Sequence, residues 1–114
     1  MNHRPLRVGK LIREELARLI VRELEFPGAL VTITEVEVTK KLDTARVLVS
    51  VIPATEAPAS LKTLSKAAPE LQHLLLKKIQ IKPMPHILFE IDHGPENAAI
   101  VEKRLLEDEQ NSKN

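Results

Sequence analysis

Apolar residues recur at helical spacing in two stretches of the chain and alternate in three others. Between Pro5 and Leu24 they fall at Val8, Ile12, Leu16, Leu19, Ile20 and Leu24, with Leu11 alongside. That is one stripe of a helix. Pro5 suits the first helical position, where a missing amide donor costs nothing, and Phe26-Pro27-Gly28 stops the helix. The next run, Leu30 to Val38, is β-branched and alternating, but its parity slips: Val31 and Ile33 share one face while Val36 and Val38 need the other. A bulge near Thr34-Glu35 restores a common face, because it inserts one residue into a period of two. Thr39 to Thr44 is a polar turn, and Ala45 to Ile52 is a second strand that buries Ala45, Val47, Val49 and Val51. The two strands form an antiparallel hairpin.

Pro53 to Ser60, with two prolines and small residues, reads as a surface loop. From Leu61 to Pro85 the apolar positions Leu64, Ala68, Leu71, Leu75 and Ile79 again mark a helix face. Pro69 interrupts it. An interior proline costs roughly 3 kcal/mol and drives the preceding residue, Ala68, away from helical geometry. Two helical pieces meeting at Ala67-Ala68-Pro69 are therefore expected. A third strand follows from His86 to Asp92, with Ile87, Phe89 and Ile91 alternating. Gly94-Pro95 opens a short last helix holding Ile100 and Leu105, and residues 107–114 are polar throughout and expected to be disordered. One α+β domain over residues 1–106 results, in which helices cover one face of a small sheet.

Composition limits what such a domain can do. Its 114 residues allow one modest core. Phe26 and Phe89 are the only aromatics, so the core is aliphatic and no platform for base stacking is offered. With no cysteine, disulfides and thiolate metal sites are excluded and a cytoplasmic setting is natural. No apolar run has the length of a membrane span, so no membrane partner is expected.

The net charge of +1 conceals segregation. Residues 1–22 carry six Arg or Lys against two Glu, and residues 62–86 carry five Lys against one Glu, so each stretch sums to +4. Residues 23–39 hold four Glu and no base, and residues 87–114 hold seven acids against three bases, so each sums to −4. One cationic and one anionic surface can coexist on such a chain.

Catalytic chemistry finds little support. His3, His73, His86 and His93 lack metal-ligand spacing, and no phosphate-cradling loop can be built from Gly9, Gly28 and Gly94 alone. Asp43 and Asp92 sit where a carboxylate usually stabilises a turn. No cofactor, metal or small-molecule substrate is expected. Phosphate contacts, by contrast, need cations on a rigid frame. Three groups supply them: Arg4, Arg7 and Lys10; Lys40 and Lys41; and Lys62, Lys66, Lys77, Lys78 and Lys82. Taken alone, Lys40-Lys41 is better read as solvated charge.

The order of elements resembles the bacterial ribosome-binding factor A family, whose fold is a type II KH domain. The likeness covers the chain from Arg4 to about Leu106. It is carried by Arg7-Val8-Gly9, Ile12 and Glu15-Leu16; by Val31-Thr32-Ile33-Thr34 with Val36 and Val38; by Asp43-Thr44-Ala45-Arg46-Val47 with Val49-Ser50-Val51; and by Pro85 to Asp92. The family replaces the KH Gly-x-x-Gly loop with an Ala-x-Gly kink between helices. Ala67 and Ala68 match its first two positions, and Pro69 stands in place of the glycine. The resemblance implies a fold ordered α-β-β-α(kinked)-β with a short C-terminal helix and a three-stranded sheet. It further implies a non-enzymatic assembly factor, expected to be a monomer, that binds the small ribosomal subunit, assists processing of its 16S rRNA and matters most in the cold. A protein-interaction domain that dimerises through an edge strand, without an RNA role, is the alternative, and a small hydrolase using Asp43, Asp92 or a histidine ranks last.

Overall fold

Helices and strands alternate in the expected order. The computed structural model describes residues 3–94. They form α1 (Arg4–Glu23), β1 (Leu30–Val38), β2 (Thr44–Ile52), a short 3-10 turn (Ala54–Glu56), α2 (Ala57–Ile79) and β3 (His86–Ile91). The expected helix around Ile100 and Leu105, the end of the 1–106 domain and the 107–114 tail lie outside the described residues. The sheet has the order β1-β2-β3, with β1 antiparallel to β2 and β3 parallel to it. A parallel neighbour requires a crossover, and α2 supplies it.

The bulge falls where the parity slips. Ile33 pairs with Val49 and Glu35 with Leu48, so Thr34 is the extra residue. Val31, Ile33, Val36 and Val38 consequently align with Val51, Val49, Val47 and Ala45 on the face that meets the helices. Val8, Ile12, Leu16, Leu19 and Ile20 of α1 and Leu64, Leu71 and Leu75 of α2 close over that face, completing an aliphatic core with Ile87 and Phe89. Gly9 lets α1 approach closely: a Cβ there would stand 3.1 Å from the Val36 carbonyl oxygen. Leu11 is left on the exposed side of α1.

The second helix departs from expectation in two ways. First, α2 runs without interruption through Ala67, Ala68 and Pro69, so the two expected pieces are one element. Pro69 lies on the exposed side and forfeits one bond, to Ser65. Leu64 before it and Leu71 and Leu75 after it are almost wholly buried. Each such leucine contributes about 1.5–3 kcal/mol, enough together to offset the proline. Secondly, the stretch read as a loop is structured: Ala54–Glu56 is a 3-10 turn, Ala57 begins α2, and Ser60 is buried. Pro58 stands in the first helical turn, where its missing N–H has no partner to lose.

The hairpin turn also differs from a purely polar loop. Leu42 adopts a left-handed conformation (φ 60°) and buries its side chain in the core. The turn around it is held by Thr39, whose hydroxyl donates to Asp43 Oδ1 and accepts the amides of Asp43 and Thr44.

Candidate nucleic-acid interface

Three chain ends and one turn meet at the same end of the sheet. β1 finishes at Val38 and β2 starts at Thr44, so the turn carrying Lys40 and Lys41 lies there. β3, parallel to β2, begins beside it: His86 aligns with Thr44 and donates its amide to the Asp43 carbonyl at 2.9 Å. α2 must therefore finish at this end too. It stops at Gln80, a left-handed residue, with Lys77 and Lys78 in its last turn. The start of α1 completes the group, because Gly9 rests on Val36 and Val38 and the Arg4 guanidinium donates to the Lys82 carbonyl at 3.1 Å.

Eight of the ten sequence-nominated cations thus share one end: Arg4, Arg7, Lys10, Lys40, Lys41, Lys77, Lys78 and Lys82, all exposed. Lys62 and Lys66, on the first half of α2, stand away from it. The far end carries Glu23, Glu25, Glu56 and Asp92. Arg22, paired with Glu23, and Lys62 stand toward that end as well, so the segregation along the sequence is carried into space in large part.

The electrostatics of the cationic end are not neutral with respect to folding. A helix carries partial positive charge at its N-terminus, where acids are favourable and bases are not. The first turn of α1 has no acidic residue, His3 provides no side-chain cap, and Arg4 and Arg7 sit there instead. A helix start that has no side-chain cap and is flanked by arginines is well disposed to meet a phosphate.

Beside this end runs a groove of about 620 Å³ between α2 and β3. Ala68, Pro69, Gln72 and His73 form one wall, and His86 and Phe89 belong to the other. Gln72 Oε1 accepts the amide of Ile87 at 3.1 Å, satisfying one outward donor of this edge strand. Among the described residues no Lys or Arg lines the groove, so it offers shape and hydrogen-bonding groups next to the charge. Sequence reading missed Gln72, His73 and His86 as a group because only the crossover brings them together. Of the nominated kink residues, Ala68 and Pro69 line this groove and Ala67 packs against the core.

The carboxylates considered for catalysis have local tasks. The Thr39 hydroxyl holds the Asp43 carboxyl below its ordinary pKa. Asp92 accepts the Thr34 hydroxyl at 2.6 Å and the Gly94 amide at 2.9 Å, tying the β1 bulge to the end of β3. Among the described residues no group of three His, Cys, Asp or Glu converges as metal ligands, and no helix is long and apolar enough to cross a membrane.

Comparison with known proteins agrees with this fold. The family model described as Ribosome-binding factor A matches residues 4–105. Ribosome-binding factor A of Caldanaerobacter subterraneus subsp. tengcongensis is 33% identical over 110 residues, covering 94% of this chain and 90% of that one. Its counterpart in Opitutus terrae is 35% identical over 100 residues, covering 87% and 82%. The crystal structure of ribosome-binding factor A from Thermus thermophilus superposes with a TM-score of 0.66 at 22% identity, covering 76% of this chain and 94% of that one. A Thermus thermophilus homology model fitted into the cryo-EM map of a 30S–RbfA complex gives a TM-score of 0.65 at 23% identity, covering 75% and 92%.

Proposed function

The chain belongs to the ribosome-binding factor A family, and from that premise we propose that it binds the small ribosomal subunit through its cationic end, as a non-enzymatic factor in late maturation and 16S rRNA processing. The observation that carries this reading is the convergence of Arg4, Arg7, Lys10, Lys40, Lys41, Lys77, Lys78 and Lys82 around the start of α1. The α2–β3 groove lies alongside and fits an RNA segment by its form; its Phe89 is buried and stacks no base. Lys62 and Lys66 contribute at most peripheral contacts. Holding immature RNA in one arrangement needs a rigid frame and many weak phosphate contacts, and no bond-making chemistry. Asp43 and Asp92 are engaged in the fold, which supports a role without catalysis. A cytoplasmic location follows from such a partner.

Gradient sedimentation tests this directly. The protein is expected with free small subunits and not with translating ribosomes, and its loss should leave precursor 16S rRNA. Absence of co-sedimentation at low salt would overturn the reading. Removing one phosphate-neutralising cation should reduce the slope of log affinity against log salt by about 0.7–0.9. The double substitution Lys77→Glu with Lys78→Glu should therefore both weaken binding and flatten that slope.

A further inference from the structure

The face of the sheet turned away from the helices is uncovered among the described residues, and its chemistry is the reverse of the cationic end. In register it presents Leu30 opposite Ile52, Thr32 opposite Ser50, Glu35 opposite Leu48 and Glu37 opposite Arg46, with Leu88 and Glu90 continuing the rows on β3. Leu30, Ile52 and Leu88 are 63%, 53% and 44% exposed, so this face presents apolar as well as acidic groups. Three carboxylates stand against one base, and that base is fully engaged. Arg46 donates to Glu37 Oε2 at 2.8 Å and, through Nε at 2.9 Å and a second nitrogen, to Glu90 Oε2. The surplus is therefore negative, and among the described residues no cation on this face is left to receive a phosphate.

Resting on the reading that the chain binds the small subunit, we propose that this open sheet face docks a basic segment of a protein of that subunit. A ribosomal particle offers two surfaces, RNA and protein. An acidic face repels the first and complements the lysine- and arginine-rich second, whose aliphatic stems can cover Leu48 and Leu88 while their charges meet Glu35, Glu37 and Glu90. The domain then stands between the two: cations toward rRNA, acids and exposed aliphatics toward protein.

Site-specific photo-crosslinking on purified small subunits tests this, with benzoylphenylalanine in place of Leu48, on the central strand and away from the α2–β3 groove, in the full chain. An adduct with a basic subunit protein is the expected result. Crosslinking to rRNA, to this chain's own residues 95–114, to a second copy, or to nothing would overturn the proposal. A second measurement separates it from folding defects: Glu35→Lys should bind complete subunits about tenfold more weakly, while its affinity for protein-free 16S rRNA is undiminished. Undiminished affinity for complete subunits would also overturn it. If the unsubstituted protein binds no subunits, the ribosome reading itself fails, which is a distinct result.

Discussion

The two helices cover the same face of one sheet and bring cations to the same end of the molecule, but they do so with opposite termini. Lys77 and Lys78 occupy the last turn of α2, where the helix dipole favours positive charge. Arg4 and Arg7 occupy the start of α1, where it opposes it. The α2 lysines could be retained for helix stability alone. Arg7 gains nothing from the dipole and so is the stronger sign that this end meets an anion, whereas Arg4 also ties α1 to the α2–β3 connection through the Lys82 carbonyl. The helices also differ in the residue that breaks the rules of each. Gly9 in α1 has a packing reason, the Val36 carbonyl against which it rests. Pro69 in α2 lies exposed, on the groove, where packing does not require it.

Substituting those two residues should have the largest effects. Gly9→Val would push branched atoms into rigid backbone at a site where even a Cβ lies 3.1 Å from an oxygen. Overpacking of this kind costs about 1–3 kcal/mol, so urea denaturation should show a destabilisation in that range, with α1 displaced and subunit binding impaired. Pro69→Ala should move stability the other way by about 2–2.6 kcal/mol. It restores the bond to Ser65, less the roughly 0.4–1 kcal/mol by which proline restricts the unfolded chain. If Pro69→Ala stabilises α2 but weakens subunit binding, the proline serves the groove; if binding is unchanged, it is tolerated only because the flanking leucines hold the helix.

Part of this architecture is legible in the amino-acid sequence. The parity slip between Ile33 and Val36 located the bulge, since only an inserted residue returns four valines and isoleucines to one face. The alternation in β2 identified its buried set because one covered face leaves no other arrangement. Local rules failed where tertiary burial outweighed them. Pro69 looked like a break because the rule counts one residue, whereas Leu64, Leu71 and Leu75 are anchored together across it. Leu42 was hidden in a polar turn because its burial depends on a left-handed backbone that leucine rarely adopts. For the candidate interface, the cations were visible one by one. Their convergence was not, because it depends on β3 being parallel to β2 and on Arg4 reaching Lys82, 78 residues away.

Matched charge reversals on the two helices test the dipole difference directly. Arg7→Glu and Lys78→Glu each change charge by two units at the same end. Both should weaken subunit binding, by roughly tenfold each if repulsion replaces attraction at one phosphate. Stability should separate them. Arg7→Glu places an acid at a helix start and should stabilise by about 0.3–1 kcal/mol, while Lys78→Glu should destabilise by a similar amount. Thermal unfolding at low ionic strength reads the sign. Equal shifts in the same direction would remove the dipole argument and leave the arginines as ordinary surface charge.

The smallest effect concerns the turn that sits between the two helix termini. Asp43 has its carboxyl pKa lowered from 3.8, chiefly by the Thr39 hydroxyl and to a lesser extent by the Thr44 bond and the charge of Lys41. A carboxylate with a depressed folded pKa contributes stability that is present above the unfolded value and is lost as pH falls through the folded one. The turn should therefore hold at neutral pH and loosen only in acid, below 3.8. Asp43→Asn keeps an acceptor for Thr39 but removes the titration. It should give a slightly less stable protein at pH 7 whose stability declines less steeply through the acid range. Chemical denaturation across that range is the measurement. The Asp43 backbone carbonyl, which receives the His86 amide, is untouched by the substitution, so the start of β3 and the placement of Lys82 should persist. Subunit binding at neutral pH should then be unchanged, which separates the residue that shapes the turn from the helix-borne cations on either side of it.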